Sequence, residues 1–188
     1  PYNLFKKWFS EALKKEINDP NAMNLATISE DYKISSRMVL LKQFNRRGFV
    51  FYTNNNSKKG KSINKNSSVA LNFHWKSMLR QIRIEGNITK VNDEEADQYY
   101  KSRPRESRIG AWASNQSEEL KLRNNLEHRI EFFRNKFKNR VIKRPPHWNG
   151  FRVKPNLIEF WQDMPYRLHD RLEFKKLKNK WIARKLYP

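Results

Sequence analysis

Leu4, Trp8, Ala12 and Leu13 recur at helical spacing with Phe5 and Phe9 alongside, and Asp19-Pro20 ends the run; this predicts an N-terminal packing helix. The pattern then shortens. NLATIS, SRMVLLKQF, GFVFYTN, SVALNFHW and QIRIEGNITKV are brief apolar or alternating runs, separated by EDYK, NRRG, the SKKGKS segment and KSML. Links this short do not hold helical crossovers, so the expectation is a largely antiparallel meander of five strands that closes into a barrel. After Val91 the period lengthens. DEEADQYYKSR opens on acidic residues and Pro104 stops it, as expected of a helix. Leu122, Leu126, Ile130, Phe133 and Phe137 mark an amphipathic helix within SEELKLRNNLEHRIEFFRNKF, for which Ser117 is the expected N-cap. RPPHWNG reads as a turn, and GFRV, LIEFWQ, RLEFKKL and KWIARKL return to strand. The fold class is mainly β with flanking helices, α+β, in one domain over residues 1–188.

Composition narrows this only a little. The 188 residues carry 40 Lys and Arg against 19 Asp and Glu, a formal net charge of +21. That excess suits nucleic acid, an anionic membrane surface or small phosphorylated ligands, and does not choose among them. Lys beside Asn in turns such as NKNSS and KLKNKW also fits a solvated surface without a partner. No apolar run reaches the roughly 18 residues of a spanning helix, and PYNLFKKWFSEA lacks the core of a signal peptide, so a cytoplasmic protein away from the membrane is expected. There is no cysteine, and His74, His128, His147 and His169 lie far apart, so no disulfide and no metal is assigned.

The stretch YTNNNSKKGKS ends in Gly60-Lys61-Ser62, the tail of a nucleotide-binding P-loop, but Asn55 stands where that loop needs its first glycine. A strand leading through Ser57, Lys58 and Lys59 into a short helix still makes an anion site plausible, because helix N-terminal N–H groups and cations both favour negative charge.

Three further segments place polar residues where a core strand has no need of them. Arg37 and Lys42 bracket RMVLLK, Gln81 interrupts LRQIRI, and Trp161, Arg167, His169 and Arg171 cluster in EFWQDMPYRLHDRLEF. Taken in order with FYTN followed by SKKG, YYKSRPRESRIGAWAS, NQS and WNGFRV, they resemble the pyridoxine (pyridoxamine) 5′-phosphate oxidase family over essentially the whole chain. SRPRESRIGAW with RLHDR is highly specific.

The resemblance implies a split β-barrel homodimer with one FMN in each of two clefts at the subunit interface. It implies that Arg37, Lys58 and Lys59 hold the FMN phosphate, with Tyr52 and Thr53 beside it and with Met38, Val39, Leu40, Leu41 and Lys42 along the flavin. Gln81, Gln116, Ser117, Trp161 and Arg171 match the remaining flavin contacts. Lys58 stands where many members carry Arg, which keeps charge and loses bidentate geometry. Lys42, Tyr99, Arg103 and Ser107 match the grip on the substrate's 5′-phosphate, two cations and two hydroxyl donors. Tyr99 and Arg103 are four apart on a predicted helix and share a face. Arg167 and His169, with Leu168 between them, match the catalytic pair at the pyridine ring, and two-residue spacing at a strand end puts that pair on one side. Asp19 also falls at a family position near the active site, although ending the first helix explains it as well.

The implied reaction removes a hydride from C4′ of pyridoxine 5′-phosphate or pyridoxamine 5′-phosphate to flavin N5. Dioxygen then reoxidises the flavin and hydrogen peroxide leaves. Family members carry an N-terminal segment with an Arg pair and a Tyr that covers the substrate, and PYNLFKKW aligns after it. Two other readings compete: a flavin-binding relative without oxidase activity, and a basic nucleic-acid-binding barrel that stacks bases on Phe73, Trp75 and Tyr99. The family reading carries no nucleic-acid and no membrane partner.

Overall fold

The computed structural model describes residues 1–188. Helix α1 (Tyr2–Lys15) precedes strands β1 (Ala22–Ile28), β2 (Ile34–Leu40), β3 (Gln43–Asn45) and β4 (Gly48–Asn54). A short helix, α2 (Lys58–Lys65), leads into β5 (Ser68–Trp75) and β6 (Arg80–Lys90). Helices α3 (Asp93–Ser102), α4 (Arg105–Ala113) and α5 (Arg123–Lys136) follow, then the long β7 (Trp148–Gln162) and the hairpin of β8 (Asp170–Leu177) and β9 (Lys180–Leu186). No helix is long and apolar enough to cross a membrane.

Every strand pair is antiparallel, in the order β2-β1-β5-β6-β7-β4-β3, with β8 on β7 and β9 on β8. The sheet curls because one segment serves both edges: Leu41 N–H donates to Asn21 O beside β1, and Lys42 N–H donates to Val50 O on β4, each at 2.8 Å. Alternation along the strands fills the inside. Met23 and Leu25 of β1, Leu71, Phe73 and Trp75 of β5, and Ile82 and Ile84 of β6 are all buried. Helix α1 closes one end by inserting Phe5, whose ring lies 4.7 Å from Phe44, 4.8 Å from Phe49 and 5.4 Å from Phe73. Phe73 and Trp75 therefore belong to the core, which withdraws them from any base-stacking surface.

Three expectations change. GFRV and LIEFWQ are one strand, because a bulge absorbs Pro155: the β6–β7 register shifts between Glu85 and Gly86, and Asn156 has no partner on β6. Gly86 permits the crossing, since a Cβ there would lie 2.3 Å from the Lys154 carbonyl. Ser117 does not cap α5. It has φ 74, outside the extended region a cap adopts, and the helix starts at Arg123 after Leu122 without a side-chain cap. RESRIGAWA forms a helix of its own, α4, which Gly110 and its shortness concealed.

Phe5→Ala is expected to cost about 3–5 kcal/mol in urea unfolding, the range for a buried aromatic whose cavity cannot collapse. A loss below about 1 kcal/mol would show that α1 does not close the barrel.

Candidate active site

A cleft of about 450 Å³ opens where β2, β4, α2, α3 and α4 converge. Met38, Val39, Leu40 and Lys42 form one wall, and Tyr52, Thr53, Lys59 and Gln116 another. Tyr99, Arg103 and Ser107 face them across Trp148. Leu41 points the other way, into the core, so only its backbone borders this region.

Two groups of donors converge on this region. In the first, Lys59 Nζ and Thr53 Oγ1 both donate to Gln116 Oε1, at 3.2 and 3.3 Å. Burial, reinforced by the charge of Arg37, holds the Lys59 ammonium below its ordinary pKa. Arg37 is itself lowered by burial and is braced by Leu25 O at 3.1 Å, Thr27 Oγ1 at 2.8 Å and Ser35 Oγ at 2.6 Å. In the second, Arg103 follows the last turn of α3 in extended backbone. Its guanidinium lies 4.9 Å over Trp148 and 5.7 Å over Tyr100, with Nη1 buried and without an acceptor. The rings of Tyr52, Tyr99 and Trp148 lie near-parallel in one cluster, with Tyr52 4.0 Å from Tyr99 and 5.1 Å from Trp148. Burial first, then Glu95 and Tyr99, pushes the Tyr52 hydroxyl up to about 12, so it remains a neutral donor. No carboxylate pairs with Arg37, Lys42, Lys59 or Arg103. Unpaired cations, half-buried at Arg37, Lys59 and Arg103 and exposed at Lys42, favour an anionic ligand at this place.

The P-loop resemblance does not survive. Asn55 lacks positive φ, and Ser57 caps α2 by accepting from Gly60 N–H at 3.3 Å. Gly60 is required by close packing instead, since a Cβ would meet the Asn55 carbonyl at 2.3 Å. Lys58 is exposed on a different side of α2 from Lys59, beside the Ser29–Asp31 turn.

The other sequence-identified residues gather elsewhere. Gln81, Trp161 and Arg171 are cross-strand neighbours on β6, β7 and β8. His169 lies 4.5 Å from the Trp161 ring, with Nδ1 2.9 Å from Asp163 Oδ1 and 3.3 Å from Met164 N. These two contacts are alternatives: a protonated Nδ1 donates to Asp163, whereas an unprotonated one accepts from Met164 N–H. Arg171 donates to the buried carboxylate of Glu159 at 2.7 Å, which also takes Arg83 at 3.1 Å. Arg167 and Leu168 are exposed. Strand alternation does not relate Arg167 to His169, because Pro165–Arg167 is a 3₁₀ turn with φ 59 at Tyr166 and φ 64 at Arg167. Ser117 is exposed in the loop after Gln116.

Trp148 borders the first cleft and Trp161 the second cluster, on the same strand. At about 3.3 Å per residue, the stretch between them is roughly 40 Å of strand. None of Gln81, Trp161, Arg167, His169 and Arg171 lines the first cleft. The donor set is of a kind that fits FMN: the cations of Arg37 and Lys59 suit a phosphate, and the amide of Gln81, the indole of Trp161 and the guanidinium of Arg171 suit a polar aromatic ring system. Sequence reasoning passed over Trp148, Glu159 and Asp163. WNG reads as a turn, and the other two acquire meaning only from their partners Arg171 and His169.

Residues 9–137 match the pyridoxamine 5′-phosphate oxidase family and residues 148–188 match the pyridoxine 5′-phosphate oxidase C-terminal dimerisation region. The pyridoxine/pyridoxamine 5′-phosphate oxidase of Bartonella quintana is 55% identical over 191 residues, covering 100% of this chain and 92% of that protein. The crystal structure of PhzG from Burkholderia lata, in complex with tetrahydrophenazine-1-carboxylic acid, is 29% identical with TM-score 0.93, over 100% of this chain and 92% of that one. A pyridoxamine 5′-phosphate oxidase-related, FMN-binding protein from Nostoc punctiforme shares the fold at 13% identity and TM-score 0.77, over 98% of this chain and 97% of that one. With both family regions present in order and the whole chain covered, this protein belongs to the FMN-dependent pyridoxine/pyridoxamine 5′-phosphate oxidases.

Proposed function

We propose that two copies of this chain oxidise pyridoxine 5′-phosphate or pyridoxamine 5′-phosphate to pyridoxal 5′-phosphate in sites shared between them. The observation that carries this reading is Arg103, whose buried, unpaired Nη1 stands with Lys42, Tyr99 and Ser107 in one cleft, a grip matched to a phosphate monoester. When bound, FMN supplies the hydride acceptor for C4′ and the centre that O₂ reoxidises with release of H₂O₂.

The chain's own part is positioning. Arg103 and Lys42 neutralise the substrate phosphate, Tyr99 and Ser107 donate to it, and Trp148 with Tyr52 seats Arg103 from behind. Arg167 and His169 of the other copy hold the far end of the pyridine. With Nδ1 donating to Asp163, the Nε2 of His169 accepts a proton from the C4′ hydroxyl or amine. PhzG holds a carboxylic acid on a similar fold, and the four-residue phosphate grip favours a phosphorylated substrate here.

Arg103→Ala is expected mainly to raise KM for pyridoxine 5′-phosphate, because the phosphate contact exists before and during hydride transfer. Arg167→Ala and His169→Ala are expected to lower kcat as well. Steady-state kinetics on FMN-loaded variants decide this, and wild-type kcat and KM in both of the latter would refute the site.

Charge-assisted phosphate contacts contribute about 1.5–3 kcal/mol each, so Arg37→Ala and Lys59→Ala should each weaken FMN binding about tenfold to a hundredfold. Fluorescence titration of apoprotein measures this. Unchanged dissociation constants would move the FMN phosphate elsewhere.

A further inference from the structure

The proposed reaction leaves one concentration of positive charge unused. Between the start of α4 and the end of α5 lies a cleft of about 820 Å³, lined by Arg105, Arg108, Arg134, Lys138 and Arg140. Its single carboxylate, Glu106, is taken by Arg134 at 2.8 Å, and Arg105 Nη2 donates to the Phe137 carbonyl at 2.7 Å. Arg108, Lys138 and Arg140 have no carboxylate partner, and Arg108 Nε is sealed from solvent without any acceptor. Arginines elsewhere that serve the fold are matched: Arg144 has Asp93 and Asp97, Arg152 has Glu95, and Arg171 has Glu159. A chain with a +21 excess must leave many cations unpaired, and dispersal in solvent is the least repulsive way to do so. Here they are gathered around a hollow. The chain reverses at Asn139, with φ 57, which returns Lys138 and Arg140 towards the first turn of α4.

We propose that this cleft binds a di- or triphosphate chain, free or as part of a nucleotide, separately from the active-site phosphate grip. Its size exceeds what a single phosphate fills, and several guanidinium forks around one hollow suit a chain of linked phosphates that meets them together. α4 divides the two sites, since Ser107 faces the active-site cleft while Arg105 and Arg108 face this one.

Calorimetric titration of the FMN-loaded protein with tripolyphosphate, and separately with ATP, in low salt without divalent metal tests the proposal. Binding is expected, weakened about tenfold or more by Lys138→Gln/Arg140→Gln, and retained in Arg103→Ala and in Lys175→Gln/Lys180→Gln on the β8–β9 hairpin. Equal affinity for both ligands would assign recognition to the phosphate chain, and tighter ATP binding would add the nucleoside; both support the site. Three results overturn it: no binding by the wild type, equal weakening by the two double substitutions, or loss of binding in Arg103→Ala. Retained flavin absorbance and melting temperature establish that each variant is folded.

Discussion

Strand β7 runs unbroken from Trp148 to Gln162 because β6 follows it along one edge while β4 and β8 divide the other, at residues 148–153 and 157–162. Backbone hydrogen bonding thus fixes Trp148 beside the first cleft and Trp161 beside the RLHDR turn, at opposite ends of one strand that carries a bulge at Pro155. Side-chain rearrangement alone moves neither end of this backbone. The Trp148 end groups cations and hydroxyls with the rings of Tyr52, Tyr99 and Trp148, whereas the Trp161 end has an imidazole, an indole and a guanidinium. The match of residues 148–188 to a dimerisation region supports a homodimer, and the proposed reading joins the Trp148 end of one copy to the Trp161 end of the other.

The distribution of carboxylates follows the same division of labour. Glu159 is 3% exposed and holds Arg83 and Arg171, so the Arg171 fork is oriented before any ligand arrives. In the phosphate cleft, by contrast, the cations are braced by carbonyls, hydroxyls, an amide and aromatic faces, which orient charge without cancelling it. Preorganisation of this kind lowers the cost of binding an anion.

Much of this was legible in the sequence. Helical spacing around Phe5 located α1, and short alternating runs located β1, β2, β4, β5 and β6, because each has one face in the core and the period alone reveals it. Where the chain departs from a simple period it was misread. Pro155 disguised a continuous strand, since its accommodation depends on Gly86 of another strand, and Gly110 hid α4. SRPRESRIGAW drew attention to Arg103 and Ser107, and the structure brings them with Lys42 and Tyr99 to one cleft. The placement of Arg167 and His169 was not, because a turn with two positive φ values follows no alternation.

The central claim is that each active site draws Arg103 from one copy and His169 from the other. Refolding an equal mixture of the Arg103→Ala and His169→Ala chains tests it most directly, because each parent is nearly inactive at subsaturating substrate. In mixed dimers one site would carry both substitutions and the other neither. With random pairing, half of the dimers are mixed, so activity should return to roughly a quarter of the wild-type value. Activity no greater than the average of the two parents would contradict the account, because it would place both residues in a site built from a single chain.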